Sequence, residues 1–199
     1  QSISTIGTWM QSVAMSWLVY RMTGSALLLG TVAFLSQIPT FVLSPFAGVF
    51  ADRYNRHKIV ITTQVLSMIQ AGILATLTLS GSITVWQIVA LGFFLGCVNS
   101  VVIPARQSFL IEMVEKKEVL GNAIALNSAM FNASRLIGPT LAGIIVAVAG
   151  EGICFLVNAL SFLAVIASLL MMKLDRAKRK TPEMHVLQEL KEGVIYAYN

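Results

Sequence analysis

A chain of 199 residues with 56% hydrophobic and only 12% charged residues lies far from the balance of a soluble domain. The apolar residues come in continuous runs of about 20, the length a helix needs to cross a bilayer, and not in the short alternating segments of a barrel. A formal net charge of +5 would point a soluble protein toward nucleic acid; here the bases lie between apolar runs, where they set orientation in a membrane and give no reason to expect a nucleic-acid partner. The expected fold is therefore an all-α membrane protein with six transmembrane helices forming one bundle over residues 1–172.

In chain order, the first span is expected over 3–20, with Trp9, Trp17 and Tyr20 as interface anchors. Thr8, Ser12 and Ser16 share one helix face that should look into protein or water. The chain opens without an initiator methionine or a leader with a cleavage site, and reads as cut within this helix. Arg21 follows in a short turn and is expected to snorkel to the headgroups. The second span, 27–51, carries Gln37, Pro39 and Pro45, and its prolines should bend it. A compact island of charge, Asp52, Arg53, Arg56 and Lys58, must then be a turn at a water interface, because charges at the bilayer centre cost several kcal/mol, roughly 2.5 to 3.5 each.

The third span, 59–79, ends in the uncharged turn Ser80-Gly81-Ser82, and the fourth covers 85–103. A long charged loop is expected from Pro104 to Val119. Spans five and six follow over 120–148 and 152–172. The remaining 173–199 read as a cytoplasmic basic linker with an amphipathic helix, in which Leu187, Leu190, Val194 and Tyr198 recur at helical spacing. Twelve of the fourteen Lys and Arg fall in the island, the second loop and the tail, so these should be cytoplasmic, and with six spans both ends of the segment face that side. The two cysteines, Cys97 and Cys154, lie within spans as small apolar packing residues.

Gly48, Ala51, Asp52, Arg53, Arg56 and Lys58, between the second and third spans, resemble the G-x-x-x-D-R-x-x-R/K loop of the major facilitator superfamily. In span five, Gly138-Pro139-Thr140-Leu141-Ala142-Gly143 is similar to the antiporter motif of that superfamily's exporters. The resemblance covers the whole chain as the N-terminal six-helix half of a twelve-helix fold, and the wording around Asn132-Ala133-Ser134-Arg135 looks closest to the enterobactin-exporter-like, drug-efflux branch. It implies a missing C-terminal six-helix half, a small-molecule substrate and residence in a bacterial-type inner membrane. Asn55 stands where the family often has glycine, and Asn tolerates left-handed backbone. Gly92 stands where the family's fourth helix has arginine, which puts proton coupling through that helix in doubt.

Independently of family, an acid at a helix end among bases can pair in one conformation and lose those contacts in another. Gly48, Asp52, Arg53, Arg56 and Lys58 are thus a candidate conformational latch, with Gly48 admitting a close neighbour; the plainer alternative is that the bases only fix topology. Arg135, roughly halfway along span five, is too costly to face lipid and should look inward. With Asn132, Gln37, Gln11 and Asn158 it makes the candidate central cavity, either binding an anionic group or serving as a structural arginine. Gly138, Pro139 and Gly143 mark a candidate gate, with Gly138, Ala142 and Val146 giving a narrow packing stripe.

His57 and His185 are expected to be solvated. With no ligand cluster, phosphate loop or nucleophile motif, neither an enzyme, a metal nor a cofactor is expected. The function these features point to is secondary active export of a small organic molecule by alternating access. A non-transporting six-span scaffold or signalling subunit, or a lipid flippase of the same fold, are the alternatives.

Overall fold

The computed structural model describes residues 2–113 and 117–171. The expected tail helix over 173–199 lies outside the described residues, as do the side chains of Asp52 and Arg53.

Six helices follow one another: α1 (Ser2–Thr23), α2 (Ala26–Arg53), α3 (Arg56–Leu79), α4 (Val85–Met113), α5 (Lys117–Ala149) and α6 (Glu151–Met171). Five of them, α2 to α6, are long and apolar enough to cross a membrane. Helix α1 falls short because Ser4, Thr5, Thr8, Gln11, Ser12 and Ser16 dilute its apolar residues. Burial explains part of that polarity, since Ser4 and Gln11 are almost wholly enclosed. Thr8 and Ser16 donate their hydroxyls back to the carbonyls of Ser4 (2.8 Å) and Ser12 (2.9 Å), which satisfies two hydroxyls of that half-exposed row within their own helix.

The bundle pairs α2 with α4, α3 with α6, and α1 with α5 and α6, with α3 also against α4. Three tight turns lie at the same end, and each uses a glycine at positive φ: Gly24 (62°), Gly81 (70°) and Gly150 (82°). Gly24 and Gly150 close their helices by donating to the carbonyls of Tyr20 (2.8 Å) and Val146 (3.1 Å), as a left-handed cap requires. At this turn end, Met10, Leu18, Leu74, Ile88 and Phe155 form the larger part of the core. Ile59, Val60, Ala105, Phe109, Val165 and Leu169 form a second cluster toward the charged end.

Two expectations about charge change here. Arg21 does not simply snorkel: its Nη2 lies 3.0 Å from Oε2 of Glu151, a carboxylate almost wholly buried in the first turn of α6. The carboxylate sits where the helix dipole favours an anion, and Arg21 supplies its counter-charge from the end of α1. The second change concerns the loop expected from Pro104 to Val119. Helix α4 continues through Pro104 to Met113 and α5 begins at Lys117, so Arg106 is a helical residue inside the bundle.

Candidate functional site

At the charged end, Asn55 is the N-cap of α3, with extended backbone (φ −65°, ψ 110°) and its side chain accepting from the N–H of Lys58 at 3.1 Å. Its presence in the loop is therefore explained by capping and not by left-handed geometry. Arg56 donates through Nη1 to the carbonyl of Ser108 at 3.1 Å, tying the start of α3 to the extended end of α4. His57, expected in solvent, is half-buried. Its Nε2 lies 2.9 Å from the carbonyl of Leu169 on α6, and its ring is 5.7 Å from that of Phe109. A side chain added at Gly48 would meet nothing of this chain within 4 Å, and Lys58 is exposed. Among the described residues the loop is tied into the bundle through Arg56 and His57, while Gly48 has an open side.

Between α1, α4 and α5, near the same end, is a cavity of about 350 Å³. Its polar lining is Thr5, Arg106, Gln107, Asn127, Ser128 and Asn132, and its apolar lining includes Val102, Ile103 and Phe131. Asn132 donates through Nδ2 to the carbonyl of Ser128 at 2.9 Å. Arg106 is the feature missed by reading the sequence, because a base two residues after a proline looked like the start of a loop. Its Nε is buried and makes no hydrogen bond within the described structure. Leaving such a donor unmatched costs on the order of 1–3 kcal/mol.

Arg135 lies one turn beyond Asn132 on α5, exposed on the open side of the bundle. Its guanidinium carbon is 5.4 Å from the centroid of the Trp9 ring, a cation–π contact. Trp9 in turn meets Phe131 edge-on at 6.1 Å, so the cavity wall and the Arg135 site share an aromatic pair. Gln37 is also exposed, on α2.

Gln11 and Asn158 are placed elsewhere, in the buried contact of α1, α3 and α6. Asn158 Nδ2 donates to Gln11 Oε1 at 2.7 Å, Gln11 Nε2 donates to Gln70 Oε1 at 2.9 Å, and Gln70 Nε2 donates to the carbonyl of Leu91 at 3.3 Å. This chain of amides joins α6, α1, α3 and α4 through the core, apart from the cavity that holds Asn132. Gln70 was not singled out from sequence. The signal was there: Thr63, Ser67 and Gln70, all buried, recur at helical spacing within an apolar span.

In the span-five motif, Gly138 faces α1, where an added Cβ would come within 2.6 Å of Trp9 Cβ and 2.9 Å of the Ile6 carbonyl. Ala142 is fully buried and Val146 packs against the same core. The Gly138, Ala142, Val146 row is thus the packed face of α5. Pro139 lies within the helix, and Gly143 points to the other, open side, with nothing within 4 Å. Among the described residues no group of three or more His, Cys, Asp or Glu could hold a metal ion.

A bundle of long apolar helices, with a polar cavity and a partly buried arginine in its lining, is the architecture of a multi-pass membrane transport protein. The chain belongs to the major facilitator superfamily: residues 1–199 match the family model described as transmembrane secretion effector, and the relatives below place it with the N-terminal half of such a transporter. It is similar to the staphyloferrin A transporter of Staphylococcus aureus (strain NCTC 8325 / PS 47), 31% identical over 179 residues that cover 89% of this chain and 44% of that protein. It is 27% identical to the uncharacterized MFS-type transporter YfiS of Bacillus subtilis (strain 168), over 98% of this chain and 47% of the other. The multidrug efflux pump Tap of Mycolicibacterium fortuitum is 26% identical, over 89% and 44%. The chain spans about half the length of these curated relatives.

Proposed function

We propose that this chain forms the first half of a secondary active exporter, which moves a small organic molecule outward by alternating access once a second six-helix half completes it. The observation that carries the reading is the polar cavity between α1, α4 and α5, which reaches the charged end of a bundle otherwise built from apolar spans. A cavity at one end of a bundle is what an inward-facing state requires: substrate enters from the cytoplasm, the halves rock, and the cavity opens on the other side. Relatives named as efflux pumps support outward movement. On this reading the charged end is cytoplasmic, by its excess of Lys and Arg. The energy source we propose is proton antiport, with the second half contributing a carboxylate, since Glu151 is already engaged by Arg21.

The test is transport by the full-length protein in an efflux-deficient bacterial strain and in proteoliposomes, against a panel of antibiotics and dyes. Extrusion that a protonophore abolishes supports the proposal. A well-expressed protein that moves nothing in either system removes it and returns the scaffold reading, and scrambling of labelled lipid alone would make it a flippase.

Two residues carry the mechanism in this proposal. Asp52→Asn keeps the size of the side chain and removes its charge, so the latch should fail: transport is expected to fall at least about tenfold, equivalent to roughly 1.4 kcal/mol, at unchanged expression. Unchanged transport would leave the loop with a topological role only. Arg135→Ala is expected to lose export, while Arg135→Lys, which keeps the cation over Trp9 but not the planar fork, should retain part of it. Full export by both would make Arg135 a packing residue.

A further inference from the structure

Among the described residues, Arg106 is the sole charged one in the lining of the α1/α4/α5 cavity, and no acid faces it from that lining. Its Nε is buried and has no hydrogen-bond partner in the described structure. Among the described residues, Arg21 is engaged by Glu151, Arg56 by the carbonyl of Ser108 through Nη1, although its Nε is likewise buried and unbonded, and Arg135 by Trp9. A guanidinium in a partly apolar cavity is costly until an anion meets it, and its fixed fork of N–H donors matches a carboxylate through two parallel bonds.

Val102 and Ile103, one turn before Arg106 on α4, and Phe131 on α5 make the apolar part of the lining, while Asn127, Ser128 and Asn132 offer uncharged donors and acceptors on α5. At about 350 Å³ the space falls at the lower end of the range typical of small-molecule sites, about 300 to 1,000 Å³.

We infer that this cavity is a binding subsite for a small amphipathic organic anion, whose carboxylate is held by Arg106 and whose apolar body lies against Phe131, Val102 and Ile103. The inference rests on the exporter reading and names its substrate class. Arg135 lies further along α5, against Trp9, which in turn meets Phe131 of the cavity wall.

The experiment measures thermal unfolding of the full-length protein, purified in neutral detergent, with benzoate, its uncharged isostere benzamide and the cation benzylamine. Benzoate is expected to raise the midpoint saturably, and the other two are not. Arg106→Gln should weaken the benzoate response at least tenfold. Arg106→Lys, which keeps the charge without the fork, should weaken it less. If Arg106→Gln fails to fold, the contrast between benzoate and benzamide on the wild type and on Arg106→Lys still decides.

No benzoate response, an equal response to benzamide, or an undiminished response in Arg106→Gln overturns the inference. So does protection by phosphatidylglycerol in the absence of any benzoate effect, which would assign the site to a lipid headgroup. Extrusion of any compound of the antibiotic and dye panel, anionic members included, by the wild type reports on the exporter reading separately. Extrusion without benzoate binding removes the anion site alone; benzoate binding by a protein that extrudes no compound removes the exporter reading alone.

Discussion

Replacing Gly96 by alanine is expected to destabilise the bundle more than any other single methyl added on α4. The new Cβ would run into the backbone carbonyl oxygen of Ser36 on α2 and lie 3.2 Å from Cγ and Cδ of Pro39. A main-chain oxygen within a helix cannot swing aside, so α2 and α4 must separate. Separation would also stretch the bond from Thr40 Oγ1 to the Gly96 carbonyl, now 3.0 Å. Overpacking of this kind costs about 1–3 kcal/mol, which corresponds to about 2–4 °C of unfolding midpoint per kcal/mol for a domain of this size.

Gly92, one turn earlier, is the control. Its added Cβ would meet the side-chain oxygen of Ser36, and that hydroxyl can rotate away from its present bond to the Val32 carbonyl. Gly92→Ala should therefore lower the midpoint by clearly less than Gly96→Ala. Equal effects, or a Gly96→Ala protein as stable as wild type, would mean that α2 and α4 are not held at this close approach. The same geometry explains why glycine stands at position 92, where the superfamily's fourth helix has arginine: Ser36 and Met15 occupy the space a long side chain would need.

The second large effect is expected at Gln11, the middle of the buried amide chain. Gln11→Leu orphans two partners at once, the Nδ2 of Asn158 and the Oε1 of Gln70, whereas Asn158→Ala orphans chiefly the Oε1 of Gln11. Each buried group left unmatched costs about 1–3 kcal/mol in water-soluble cores, and interhelical bonds measured in bilayers average about 0.6 kcal/mol with a maximum near 1.7. The smaller scale applies within spans, so Gln11→Leu should lower stability by roughly 1–3 kcal/mol and Asn158→Ala by about half as much. A double replacement, Gln11→Leu with Gln70→Leu, should recover part of the loss because fewer polar atoms remain unmatched. Thermal unfolding in detergent checks the order; a double variant whose loss equals the sum of the two single losses would show that the amides act independently.

Much of the helical plan was legible in the sequence. Run length and the positions of charge place six helices within a few residues of the expected spans at most ends, because in lipid the backbone has no other way to satisfy itself. The largest boundary error was at α4, and its cause is instructive. Pro104 and the charged residues after it read as loop, yet proline is tolerated within a helix of a bundle whose neighbours compensate for the bend. Arg56 and His57 supply such neighbours, anchoring α3 to the carbonyl of Ser108 and packing against Phe109.

The candidate cavity residues separate for a related reason. A polar side chain in a span must avoid lipid, and the sequence says so for Gln11, Gln37, Asn132, Arg135 and Asn158 alike. It does not say whether the alternative to lipid is another helix or open space. Gln11 and Asn158 face helices and bond to one another; Asn132 faces the cavity; Gln37 and Arg135 lie on the open side.

What the sequence alone determined is the membrane class, the order of the helices and the length of each except α4, the glycine turns and the two family motifs, since these depend on hydrophobic run length, local φ and short-range spacing. Only the tertiary structure decided which polar residues pair and which remain available. That choice depends on the rotation of each helix about its own axis, which is set by close approaches such as Gly96 on Ser36 and Gly138 on Trp9, between residues more than fifty positions apart in the chain. Those rotations lock Gln11 into the core and leave the Nε of Arg106 buried beside a cavity whose described lining holds no acid.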